Sequence, residues 1–273
     1  MPLQEQNNQR TRQALIEEAI SKLSRFANFY DIDSLFVVGD YCREHYLGSV
    51  WKTPNINVVS AYNDQALQLG GLFASEFIKV PPVFHNKTKT TRMEYKSEIG
   101  SILIEFQGDS VKTYMKSDDV KDWMKRTGIE DIPLLNNIYG RDFTINSLIY
   151  SLNNKHMYDP TDLAILNFDK KVIKSLLPPD MLIKCDPLAA LKAIEFAMLY
   201  DFRIEPGLRH AIKLAGVDNL KASLSEKNIV KAIVKILTIN AEKGLDILKN
   251  LELDRILFHP DVKKYLEKGF QEN

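Results

Sequence analysis

The chain has 273 residues, 36 basic and 36 acidic side chains, no formal net charge, and 45% hydrophobic residues. That length suggests two packed units rather than one, and the apolar content suffices for a sizeable core. The charge balance argues against a protein that grips a polyanion by net charge alone, and no run of 18 apolar residues is present to span a membrane. Cys42 and Cys185 are far apart and the five histidines are scattered, so no zinc-like spacing exists.

The first ten residues are polar, lack a signal-peptide core and are expected to be unstructured. Thr11 to Asn28 reads as an amphipathic helix with Ala14, Leu15, Ala19, Ile20, Leu23 and Phe26 on its apolar side. Asp31 to Val38 is a short apolar run ending at Gly39, the pattern of a buried strand that breaks at a glycine. Tyr41 to Leu47 reads as a helix stopped by Gly48. Strand, glycine turn and helix N-terminus together offer backbone N–H groups to an anion. Asn55-Ile56-Asn57-Val58-Val59 is a second strand, on which Asn55 and Asn57 share a face. Aspartates there would clamp divalent cations, whereas asparagine offers a neutral carbonyl oxygen.

A third strand, Ser101 to Phe106, sets Glu105 among apolar neighbours. Glu105 is either outward-facing or a site residue, and one residue of misregister decides which. His85 to Arg92 reads as a mobile loop or a hairpin tip. Basic clusters occur at Lys87, Lys89 and Arg92, at Lys112 to Arg126, and at Lys170, Lys171 and Lys174. Each is either an RNA-facing patch or a solvated face. Pro178-Pro179 breaks the chain ahead of a helix carrying Asp186. Ser223 to Glu226 fits a capping box before the stripe Ile229, Ala232, Ile233, Ile236 and Leu237. Further helices are expected over about 241–251 and 261–268.

The blocks Tyr139-Gly140-Arg141-Asp142-Phe143-Thr144-Ile145-Asn146, Tyr158-Asp159-Pro160 and Lys184-Cys185-Asp186-Pro187-Leu188-Ala189 complete a series. Their order and spacing resemble the class II nucleotidyltransferases, the family of bacterial poly(A) polymerases and CCA-adding tRNA nucleotidyltransferases. The resemblance runs from about residue 31 to 202, and more loosely over 225–237. It implies an α+β fold: a polymerase-β-like head built on a small mixed sheet, then an all-helical neck and a truncated body. The boundaries it suggests are a polar leader with N-terminal helix over 1–30, a head over 31–150, and a helical neck and body over 151–273.

The family's Gly-Gly-x-x-Arg-Asp falls on Gly39, Asp40, Tyr41, Cys42, Arg43 and Glu44. One glycine and the arginine survive, and Asp40 sets a carboxylate where backbone would approach phosphate. The paired metal aspartates fall on Asn55 and Asn57, and the third acid on Glu105. Arg141, Asp142 and Asn146 match. The family's Glu-Asp-x-x-Arg, whose acid and arginine read the base, falls on Cys185, Asp186 and Ala189, so the base-reading arginine is missing. The resemblance thus implies nucleotide-binding positions at Gly39, Arg43, Arg141, Asp142, Asn146, Asp186 and Ala189, and a degenerate metal site at Asn55, Asn57 and Glu105.

Three readings stay open. The first is a pseudoenzyme retained as an RNA-binding or scaffolding module, without a metal cofactor. The second is an active RNA nucleotidyltransferase using Mg²⁺, its site repaired or deliberately substituted. The third is a nucleotide sensor without turnover. Deliberate replacement of Asn55 and Asn57 would not account for Asp40, Cys185 and Ala189. A repaired metal site would have to use Asp40 and Glu105. Family members that handle tRNA have a longer helical body, so a chain of this length is expected not to build a CCA end. The expected partner is RNA or a larger protein–RNA complex, not a membrane, inside the cell in the cytoplasm or an organelle matrix.

Overall fold

The structure is a computed structural model that describes residues 3–61, 65–86, 88–107 and 113–258. The chain divides into two compact units: Met1–Arg141 with Asn146–Ala164, and Asp142–Ile145 with Ile165–Asn273.

The first unit opens with helix α1 (Leu3–Phe29). The helix begins well before Thr11, so the expectation of an unstructured leader is corrected. Gln, Glu and Arg are good helix formers, and a polar composition removes a core-facing stripe without removing the helix. Leu15, Ile16, Ala19, Leu23 and Phe26 are buried, while Ala14 faces solvent and Ile16 takes its place. Phe26 meets Phe73 and Phe106 edge-on, with ring centroids 5.3 and 6.4 Å away. Arg12 donates to the carbonyls of Ser101, Thr53 and Pro54 at 3.0–3.2 Å.

Strand β1 (Leu35–Val38) starts later than Asp31, because Asp31 has a φ of 52° and Ile32 N closes the end of α1 on Ala27 O. Helix α2 (Asp40–Tyr46), β2 (Asn55–Ser60), α3 (Gln65–Leu72), β3 (Val83–His85), β4 (Thr90–Ser97) and β5 (Gly100–Gln107) follow. After them come α4 (Asp118–Arg126), α5 (Pro133–Tyr139), β6 (Ile149–Ser151) and β7 (Met157–Tyr158). The strands form one sheet in the order β3-β4-β5-β2-β1-β6-β7. Within it β2 and β5 run parallel and the other pairs antiparallel. His85 to Arg92 is a hairpin, with His85 opposite Thr90; Lys87 lies outside the described residues. The register sets Arg92 opposite Glu105 and Glu105 opposite Asn57, one row across three strands.

The second unit holds α6 (Ala164–Asp169), β8 (Val172–Ile173), α7 (Pro179–Cys185), α8 (Leu188–Tyr200), β9 (Arg203–Ile204), α9 (Pro206–Ser223), α10 (Glu226–Ile239) and α11 (Ala241–Asn250). β8 and β9 form a two-stranded parallel ribbon. Pro179 begins α7 instead of only ending what precedes it, since its fixed φ suits the first helical position. Asp186 therefore lies between α7 and α8, not inside a helix. The cap of α10 is Ser225, whose Oγ accepts from Asn228 N; Leu224 is extended, which moves the cap away from Ser223. The stripe Ile229, Ala232, Ile233, Ile236 and Leu237 is buried. The helix expected over 261–268 lies outside the described residues. Among the described residues no helix is long and apolar enough to cross a membrane.

Candidate functional site

The glycine turn closes on β1. Gly39 has φ 78° and ψ −127°, which L side chains rarely adopt. A Cβ there would lie 2.7 Å from Arg141 Nη1 and 3.8 Å from Asn57 Nδ2. Arg141 Nη2 also donates to Asn137 Oδ1 at 3.0 Å. Arg43 is 5% exposed. Its Nη1 donates to Asn146 Oδ1 at 2.6 Å, its Nη2 to Asp40 Oδ1 at 2.7 Å, and its Nε to Glu44 Oε1 at 3.2 Å. Glu44 is buried and accepts from Ser49 Oγ at 2.6 Å. Asp40, expected to stand in the way of phosphate, turns onto Arg43 instead. Cys42 is buried beneath the turn and its Sγ donates to Val37 O at 3.1 Å; burial pushes the thiol pKa well up.

The neighbouring row holds Asn55, Asn57 and Glu105, the positions expected from the sequence to correspond to metal acids. Asn57 Oδ1 accepts from Asn55 Nδ2 at 2.8 Å and from Gln107 Nε2 at 3.1 Å. Gln107 Nε2 also donates to Glu105 Oε1 at 3.1 Å. Glu105 Oε2 accepts from Arg92 Nε at 2.8 Å and Nη2 at 2.5 Å. Glu105 thus faces the row instead of pointing away from it. Its carboxylate, 14% exposed, is already matched by a guanidinium.

This donor set does not fit Mg²⁺. The ion favours anionic oxygens in near-octahedral geometry, and here two carboxamides are bonded into a chain while the remaining carboxylate has a protein cation. The Asp40–Glu105 alternative meets the same objection, because each carboxylate is held by an arginine. Among the described residues no group of three or more His, Cys, Asp or Glu could hold a metal. Arg92 and Gln107 escape a reading of the sequence as site residues. Arg92 enters through the β4–β5 register, and Gln107 lies two residues past Glu105 on the same face.

Asp142 and Asp186 both face Lys192 in the second unit. Asp142 Oδ1 accepts from Phe143 N at 3.1 Å, and its Oδ2 lies 3.1 Å from Lys192 Nζ. Lys192 Nζ is 3.7 Å from Asp186 Oδ2. Ala189 N donates to Asp186 O, and the Ala189 side chain is fully buried. The cation facing both acids is therefore Lys192, three residues beyond Ala189. That spacing, one turn along the same face, is a signal present in the sequence. Gly39, Arg43, Arg141, Asn146, Asn55, Asn57 and Glu105 belong to the first unit, and Asp142, Asp186 and Ala189 to the second.

A cavity of about 430 Å³ in the first unit, lined by Glu17, Ser24, Tyr41, His45, Tyr150 and Lys155 among others, includes none of the candidate positions.

Residues 35–174, just over half of the chain, match the poly A polymerase head domain. A tRNA nucleotidyltransferase of Schizosaccharomyces pombe is 31% identical over 136 residues, 48% of this chain and 27% of that protein. The mitochondrial CCA tRNA nucleotidyltransferase of Saccharomyces cerevisiae is 25% identical over 138 residues, 48% of this chain and 25% of that protein. The Thermotoga maritima CCA-adding enzyme complexed with tRNA superimposes with a TM-score of 0.71 at 21% identity, covering 94% of this chain and 60% of that one. The matched segment thus spans about a quarter of the curated relatives' length, and the structural likeness speaks to the fold. The chain belongs to the poly A polymerase head-domain family, within the class II nucleotidyltransferases.

Proposed function

We propose that this protein is a catalytically silent nucleotidyltransferase-fold module that holds RNA, alone or within a larger RNA–protein complex, and adds no nucleotides to it. The observation that carries this reading is the row Arg92–Glu105–Gln107–Asn57–Asn55. A guanidinium and neutral amides around the positions that the resemblance assigns to the family's metal acids support it. Two-metal nucleotidyl transfer draws several kcal/mol of transition-state stabilisation from its cations, and each ~1.4 kcal/mol is tenfold in rate. The RNA half of the proposal is supported by relatives named as tRNA nucleotidyltransferases and by a structural neighbour that carries tRNA. Such a module would act inside the cell, in the cytoplasm or an organelle matrix.

The test is incubation of the full chain with an RNA primer, labelled ATP or CTP, and Mg²⁺ or Mn²⁺. The expected result is an unchanged primer; metal-dependent lengthening overturns the proposal. The variant Asn55→Asp/Asn57→Asp is expected to stay silent, because Arg92 still holds Glu105. Incorporation regained by that variant alone would reduce the block to the two amides. Saturable ATP binding without product would move the assignment to a nucleotide sensor.

A further inference from the structure

In the second unit a cavity of about 150 Å³ is lined by the apolar residues Phe202, Ile204, Ile247 and Leu251 among others, by Asn250, and by two cations, Arg203 and Arg209. Both arginines are exposed, and among the described residues neither has a hydrogen bond or ion pair from its side chain. Two like charges on one concavity repel, and a bound anion relieves that repulsion.

The backbone fixes both positions. Arg203 N donates to Lys171 O at 2.9 Å, and Arg203 pairs with Val172 across the β8–β9 ribbon. Arg209 sits in the first turns of α9, its N donating to Glu205 O at 2.9 Å. Lys170, Lys171 and Lys174 flank β8 and are exposed, so the basic cluster seen in the sequence shares the ribbon with Arg203. The acids of the two segments 169–174 and 201–209 are Asp169, Asp201 and Glu205, against the five cations Lys170, Lys171, Lys174, Arg203 and Arg209. Asp201 is held by Lys243 at 2.6 Å, and the Glu205 carboxylate caps α9 by accepting from Leu208 N at 2.9 Å. The local balance is therefore positive in a chain of zero net charge.

We propose that Arg203 and Arg209 form a phosphate-binding site for an RNA backbone, with the apolar lining taking the adjoining ribose or base. Guanidinium forks match phosphate oxygens in geometry as well as charge, and a base or ribose covers apolar surface that a free phosphate leaves wet. The site rests on the RNA-holding reading above and names where the chain would grip.

The experiment measures binding of a labelled RNA stem-loop with a single-stranded 3′ tail at several KCl concentrations. It compares the full wild-type chain, Arg203→Ala/Arg209→Ala, Arg203→Lys/Arg209→Lys, and the control Lys227→Ala/Lys231→Ala at exposed positions of α10. The alanine pair is expected to weaken binding about tenfold or more. It should also flatten the log–log salt slope by about 1.4, two single-strand contacts at about 0.7 each. The lysine pair should keep most of the slope, and the α10 control should behave as wild type. Wild-type binding that is unchanged in both arginine variants overturns this site and leaves the RNA reading standing. A wild-type chain that binds no RNA overturns both. Inorganic phosphate competing as well as RNA at equal phosphate concentration overturns the role of the apolar lining.

Discussion

The glycine turn and the asparagine row lie against each other in the first unit, and they treat the same family pattern in opposite ways. At the turn the matching residues are engaged by folding: Arg43 is buried and bonded to Asp40, Glu44 and Asn146. Along the row, Asn55, Asn57 and Glu105 are half-buried, and their partners lie at the site itself. A residue that holds the fold is costly to replace whether or not chemistry continues. A residue whose only task is to hold a cation is replaceable wherever that chemistry is not required. Arg43 matching the family pattern is therefore weak support for activity, because its buried network suffices to explain its presence.

That contrast can be broken by measurement. Arg43→Ala should have the largest effect, about 3–5 kcal/mol in urea unfolding, because it strands buried Glu44 without its cation. The same variant should expose Cys42 to thiol reagents, which the native protein resists through burial. Gly39→Ala should cost about 1–3 kcal/mol, since its backbone conformation is strained for alanine and the new Cβ meets Arg141. Asn57→Ala should cost about 1 kcal/mol or less, the net worth of ordinary hydrogen bonds at a half-buried position. If Asn57→Ala destabilised as much as Arg43→Ala, the row would also be structural and the contrast would fail.

Much of the frame was legible in the sequence. The apolar runs ending at Gly39 and spanning Asn55 to Val59 and Ser101 to Phe106 correspond to β1, β2 and β5 because short buried strands announce themselves by composition. The buried stripe of α10 is legible for the same reason. The leader helix was hidden because polarity says nothing against a helix lying outside a core. The partners were hidden for a different reason. Arg43 meets Asn146, 103 residues away, and Arg92 meets Glu105 only through the β4–β5 register, which composition does not reveal. The reading of Ala189 comes from the resemblance alone, whereas the contacts of Lys192 need the positions of Asp142 and Asp186 in space.

The most direct measurement is a Mn²⁺ titration followed by electron paramagnetic resonance. The wild-type chain should bind no ion saturably at millimolar concentrations, whereas Asn55→Asp/Asn57→Asp/Arg92→Ala, which restores two carboxylates and releases Glu105, should gain a saturable site. Tight, saturable uptake of two ions by the wild-type chain, abolished by Asn57→Ala, would contradict the closed row on which the silent reading depends.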